Sequence, residues 1–313
     1  MFTLPALARL SQCERILIAG AGGGFDVYAG MPLYFALRAA GHEVHLANFS
    51  FSALDVLDEP WWAPDVAAVT TEAPDLSYFP ERVLAGFLEE EGHPAPIYAL
   101  RNTGVVPTRR AYQTLVERLR LDAIVLVDGG SDALMRGDEF GLGTPAEDMT
   151  SIAAVSRVEV RERQLVSVGF GVDHYHGVCH AQVLRAVAEL TALGGHLGTL
   201  SLLPTMPEVA RYLALVEYAK PRMAEHPSIV TTSIADAIVG AFGDVHSNAR
   251  TSGSRLFINP LMAFAWFFDL PTVAARVAYL PWLELTETGR DVRRVVMDYR
   301  ATIPRRPWED IPL

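Results

Sequence analysis

Continuous apolar runs alternate along the chain with stretches in which apolar residues recur every three or four positions. The runs are Ile16–Ala19, Val44–Ala47, Ile97–Leu100, Ala123–Val127 and Val166–Phe170. A strand without polar alternation has both faces covered, so these runs predict a mainly parallel sheet between helical layers. The helices between them are read from their punctuation. One is predicted from Met31-Pro32, where proline suits a first turn, to just before Gly41. Another is predicted from Pro145 towards Val155, because Thr144 and Glu147 have capping-box spacing. Val178–Leu193, Glu208–Ala219, Thr231–Phe242 and Glu287–Tyr299 also have helical spacing, and Arg255–Ile258 reads as a late strand.

The fold class expected is α/β, a Rossmann-like three-layer α/β/α arrangement with a mainly parallel sheet. No domain boundary stands out, so residues 1–313 are read as a single domain, with 228–313 as a C-terminal cap where the alternation weakens. Pro60–Pro80, with Trp61 and Trp62, reads as a long ordered cover. Leu261–Phe268 is stopped by Asp269 well short of the roughly 20 residues of a membrane span. It is expected to be a core helix or a contact in a homo-oligomer, and the tail from Arg305 is expected to pack on a surface.

Composition narrows the class of partner. Half of the 313 residues are hydrophobic, enough for a sizeable core, and the net charge of −11 opposes nucleic acid and anionic membrane. A small-molecule substrate is the expected partner. Two cysteines build no disulfide framework, and the opening residues lack a basic segment leading into a cleavable apolar stretch, so a cytoplasmic location is expected.

Three strand ends carry the candidate chemistry. After the first run comes Gly20-Ala21-Gly22-Gly23-Gly24-Phe25-Asp26, whose backbone suits a small anion. It departs from the dinucleotide fingerprint at Phe25, and the second strand reaches Asn48 where a ribose-binding acid belongs. Asp26 either caps the following helix or faces a metal or substrate cation. After Ala123–Val127 comes Asp128-Gly129-Gly130-Ser131-Asp132, followed by Asp138, Glu139 and Asp148. Acids so gathered bind Mg²⁺ or Mn²⁺, hold a cationic group or share protons, or else form a solvated loop paired with Arg136. After the third comes Asp173-His174-Tyr175-His176, with His180 four residues beyond His176 on a shared face if the helix starts early. Arg101 and Asn102, or Arg250, supply groups for a substrate carboxylate or phosphate.

Three of these segments, GAGGGFDVYAGMPL, DGGSDALMRGDEFGLGTPAEDM and GFGVDHYHGV, together resemble the bacterial and archaeal family of domain of unknown function 1152. The resemblance covers most of the chain and implies no particular reaction. Asp128-Gly129-Gly130-Ser131-Asp132 is also similar to the Asp-Gly-Gly-Asn-Glu loop of D-glutamate cyclase-like proteins, departing from it at Ser131 and Asp132.

The leading expectation is a metal-dependent hydrolase or phosphoryl-transferring enzyme acting on a small polar anionic metabolite. Asp26, Asp128, Asp132 and Asp173 are its expected metal ligands, with Mg²⁺ or Mn²⁺ ahead of a nucleotide as cofactor. Asp128, Asp132, His174 and His176 are the expected catalytic residues. Gly22, Gly23, Gly24, Asp26, Gly129, Gly130, Arg101 and Asn102 are expected to bind substrate. The alternatives are a nucleotide-dependent oxidoreductase or transferase, an amino-acid cyclase or lyase, and a non-catalytic ligand-binding protein.

Overall fold

The computed structural model describes residues 3–57, 61–253 and 256–311. Its strands are β1 Arg15–Gly20, β2 Glu43–Ser50, β3 Val66–Val69, β4 Ile97–Arg101 and β5 Ala123–Asp128. β6 Glu162–Val168, β7 His196–Ser201, β8 Gly243–Asp244, β9 Phe257–Ile258 and β10 Phe264–Asp269 follow. The main sheet has the order β3-β4-β2-β1-β5-β6-β10-β7, and β8 pairs with β9 separately. β4, β2, β1, β5 and β6 are mutually parallel, whereas β3 runs antiparallel to β4 and β10 antiparallel to β6 and β7.

Alternate side chains of each central strand enter different cores. Ile16, Ile18, Val125 and Val127 join one apolar cluster, and Leu17, Ala19, Ile124 and Leu126 join the other. Both faces are therefore covered, which explains the absence of polar alternation and gives a Rossmann-like three-layer α/β/α fold. No described helix is long and apolar enough to cross a membrane.

The structure departs from the sequence expectations where backbone chemistry or tertiary context intervenes. β6 begins at Glu162 and stops at Val168, because Gly169 and Gly171 turn the chain at φ 108° and 91°. The run Leu261–Phe268 is a 3₁₀ turn, Pro260–Ala263, leading into β10 inside the sheet; Ala265 and Phe267 enter one core and Phe268 the other. Part of 228–313 is thus a sheet strand rather than a cover. The Pro60–Pro80 stretch contains β3. The helix Pro145–Ser156 forms as expected, but the Thr144 side chain does not cap it. Pro60, Arg255 and the last two tail residues, Pro312 and Leu313, lie outside the described residues.

Candidate functional site

From β1 the chain moves to β2 and β4 on one side, and later to β5 and β6 on the other. The carboxyl ends of β1 and β5 therefore flank the topological switch point, the crevice in which open α/β sheets hold ligands. Asp26 and Asp128 both stand there. Asp128 is the last residue of β5 and is 2 % exposed. Asp26 opens the short helix Asp26–Ala29, but its Oδ2 turns back to accept the Gly22 N–H at 2.6 Å.

A third carboxylate arrives from the helix Pro145–Ser156. Asp132 Oδ2 accepts the Thr144 N–H at 2.7 Å and the Thr144 hydroxyl at 3.0 Å, fixing the entry to that helix. Ser151 Oγ donates to the Ala21 carbonyl at 2.7 Å, docking the helix on the β1 loop. Asp148, one turn before Ser151, is thereby directed at Gly22. It is 1 % exposed, and neither of its oxygens has a hydrogen-bond partner. One oxygen from each of Asp26, Asp128 and Asp148 lies within 4.8 Å of the others. A single oxygen-liganded cation, with bonds of about 2.0–2.6 Å, spans such a set.

Glycines make this convergence sterically feasible. A Cβ on Gly129 would lie 2.9 Å from Asp26 Oδ1, and one on Gly130 would lie 3.0 Å from Asp128 Oδ1 and 2.6 Å from Asp173 Oδ2. Asp173 Oδ2 accepts the Ser131 N–H at 2.6 Å and so pins the acidic loop to the segment after β6.

Five carboxylates are thus gathered with little compensation. Nearby arginines are engaged elsewhere, Arg136 and Arg306 with Asp138 and Arg293 with Glu147. Burial raises the Asp26 carboxyl to about 7, opposed by the Gly22 N–H and reinforced by the charge of Asp132. Burial and then the charges of Asp132, Asp173 and Asp26 push Asp128 well above the carboxylate range. Asp148 rises for the same reasons, burial and then Asp132 and Asp128, while burial and then Asp132 raise Asp173. Burial raises Asp132 too, although the Thr144 N–H and hydroxyl and the charge of His176 favour its ionised form. Either protons or a cation would relieve this repulsion.

The family model described as protein of unknown function, DUF1152, matches residues 91–299. The chain belongs to that family. The match includes Asp128, Asp132, Asp148 and Asp173, whereas Asp26 and the glycine loop of this DUF1152 chain precede it. No curated protein matches the chain. Among solved structures, SsfS6, a glycosyltransferase of Streptomyces sp. SF2575, is similar at 18 % identity and a TM-score of 0.25. That likeness covers 58 % of the DUF1152 chain and 46 % of SsfS6.

The DUF1152 structure gathers some of the residues expected from sequence and separates others. Gly22, Gly129 and Gly130 border the carboxylates, and Asp132 and Asp173 lie beside them as acceptors of loop hydrogen bonds. His176 is exposed and acts by charge on Asp132. His174 packs instead between His180 and Trp308, with ring centroids 5.1 Å from each. His176 and His180 do not share a helical face, because Gly177 breaks the chain at φ 83° and the helix starts only at His180. Arg101 is engaged by Asp55 and Asp65 and lies over Trp61, and Asn102 is exposed near Gly289. Asp148 completes the tightest acidic set, and its signal was a second acid following Glu147 in a helix of buried residues.

Gly22 lies between two of the acids: an added Cβ would contact Asp148 Oδ1 closely and lie 2.8 Å from Asp26 Oδ2. Gly22→Ala is expected to destabilise this DUF1152 protein by about 1–3 kcal/mol, read by thermal denaturation. Gly22→Ala should cost much less in an Asp148→Ala background than in wild type; an equal cost in both would place the strain elsewhere.

Proposed function

We propose that this protein is a divalent-metal-dependent enzyme of hydrolytic or phosphoryl-transfer type, acting on a small polar anionic metabolite. The observation that carries the reading is the buried Asp148 carboxylate, which has no hydrogen-bond partner and lies beside Asp26 and Asp128. An isolated buried charge is too costly to keep without a counterion or a proton, and three converging carboxylates suit Mg²⁺ or Mn²⁺. Bound there, the metal would polarise a phosphoryl or carbonyl oxygen and acidify a water. Asp26, Asp128 and Asp148 hold it, Asp132 and Asp173 brace the surrounding loops, and His176 moves a proton at the exposed rim. The β1 loop holds the anionic group of the substrate.

A nucleotide-dependent reading has less support. Asp26 already takes the Gly22 N–H that a pyrophosphate would need. Asn48, at the corresponding place in β2, is buried and donates to Gly24 O and Glu81.

The test is turnover by metal-stripped protein on a panel of phosphate esters, cyclic amides and small carboxylic acid derivatives. Activity is expected only after Mg²⁺ or Mn²⁺ is restored. Turnover that survives chelation, or tight ligand binding with no turnover across the panel, would count against the proposal.

A further inference from the structure

The helix Ile229–Ile238 lies against the carboxyl ends of β5 and β6 and contributes none of the carboxylates. A Cβ on Gly169, just after β6, would lie 3.4 Å from Ile234 Cδ1, and one on Gly129, just after β5, would lie 3.0 Å from Val230 Cγ1. Val230 and Ile234 are four residues apart, so one helical face meets both glycines. The first turn is held from three directions. Ser228 Oγ accepts the Thr231 N–H at 3.1 Å, Asn248 Nδ2 donates to the Ser228 carbonyl at 3.0 Å, and the Tyr212 hydroxyl donates to the Thr231 carbonyl at 3.2 Å. A valine in a helix strongly prefers one rotamer, so the Val230 side chain is a stiff wall.

That wall stands beside the carboxylate set. The same Gly129 Cβ would lie 2.9 Å from Asp26 Oδ1, so a Val230 methyl and this oxygen border one small space. Solvent reaches the set there. Asp26, Gly22 and Val230 are half-buried, whereas Asp128 and Asp148 are only 2 % and 1 % exposed. Towards Gly130 and Gly143 the neighbours are further acids, Asp173 and Asp132. An apolar side chain at the open side of a metal site governs what approaches the metal, and the two methyls of a fixed valine leave room for a slender group but clash with a branched one.

We infer that Val230 is a specificity-determining residue, restricting the protein to substrates that are unbranched at the atom next to the group that meets the metal. The inference rests on the metal proposal, because the space it describes is the one beside Asp26 Oδ1. Val230 offers the metal no ligand atom, so its bulk acts on the substrate and leaves metal affinity alone.

The experiment titrates the protein with Mn²⁺ alone and then titrates the Mn²⁺-loaded protein with acetate or trimethylacetate, reading displacement of water from the ion by water-proton relaxation. The two anions share a carboxylate and differ in bulk at the adjoining carbon. Wild type is expected to bind acetate about tenfold more tightly or better. Val230→Ala should cut that preference about tenfold and Val230→Phe should weaken both anions, with Mn²⁺ affinity unchanged in each. Ile234→Val thins the same helical face away from the carboxylates and should keep the wild-type preference, which separates lining the space from holding the helix. The inference is wrong and the metal proposal stands if wild type binds Mn²⁺ but takes neither anion or both alike. The same holds if Val230→Ala keeps the wild-type preference, or if Ile234→Val shifts it as Val230→Ala does. If wild type binds no Mn²⁺, both fall.

Discussion

Asp148→Asn is expected to raise the melting temperature of the metal-free protein at pH 8 while abolishing its stabilisation by Mn²⁺. The two effects share one cause. Asp148 is buried without a hydrogen-bond partner, and burial followed by the charges of Asp132 and Asp128 disfavours its ionised form. Asparagine keeps the shape and removes the charge, relieving repulsion across the cluster. A higher melting temperature than wild type is therefore expected at pH 8, where the cost of either ionising or protonating the buried carboxyl is greatest. The same neutral amide is a poor ligand for a hard cation, so the thermal shift on adding Mn²⁺ should vanish. Asp128→Asn should behave alike, with a smaller gain because Asp128 already accepts a 3.3 Å hydrogen bond from the Ala133 N–H. Thermal denaturation with and without Mn²⁺ reads both effects; an unaltered Mn²⁺ response in Asp148→Asn would remove Asp148 from the metal set.

The pH dependence of the metal-free protein should show the same repulsion from the other side. Asp26, Asp128, Asp132, Asp148 and Asp173 all have raised pKa values in the folded chain, with burial the largest cause in each. A carboxyl that holds its proton more tightly when folded stabilises the fold fully below its unfolded pKa, about 3.9. That contribution is lost as pH rises through the folded value, which for Asp26 is about 7. Metal-free protein should therefore lose stability from these groups between about pH 4 and pH 8. His45, His180 and His196 oppose this, since burial lowers their pKa and favours the fold as pH rises. The clean measurement is the melting-temperature difference between wild type and Asp148→Asn, in chelator, from pH 5 to pH 8. It should widen in the variant's favour with pH, and Mn²⁺ should stabilise wild type most at the alkaline end, where fewer protons compete. A constant difference would mean that Asp148 stays ionised in the fold across this range, so that its pKa is not raised.

Much of the fold was legible because its central strands are buried on both sides. Hydrophobicity without alternation reports that condition directly, and Ile16–Ala19, Val44–Ala47, Ile97–Leu100 and Ala123–Val127 all fall within observed strands. Phe264–Asp269 was harder, since a short apolar run has no period to separate a strand from a helix, and its partners β6 and β7 are remote in sequence. The acids after β1, β5 and β6 were legible through the glycines beside them. Asp148 was less so, because its direction depends on Ser151 reaching the Ala21 carbonyl, a contact across 130 positions.

The place of β10 bears on how the protein is made. β6 and β7 flank it and do not pair with each other, so each lacks a neighbour on that side until Phe264–Asp269 exists. A ribosome has by then already released both strands. During that interval the nascent chain exposes an apolar strand edge, including Val166 and Val168, that another copy could pair with. Translation that stalls before Asp269 should therefore yield aggregates, whereas the finished chain closes the gap with its own final strand.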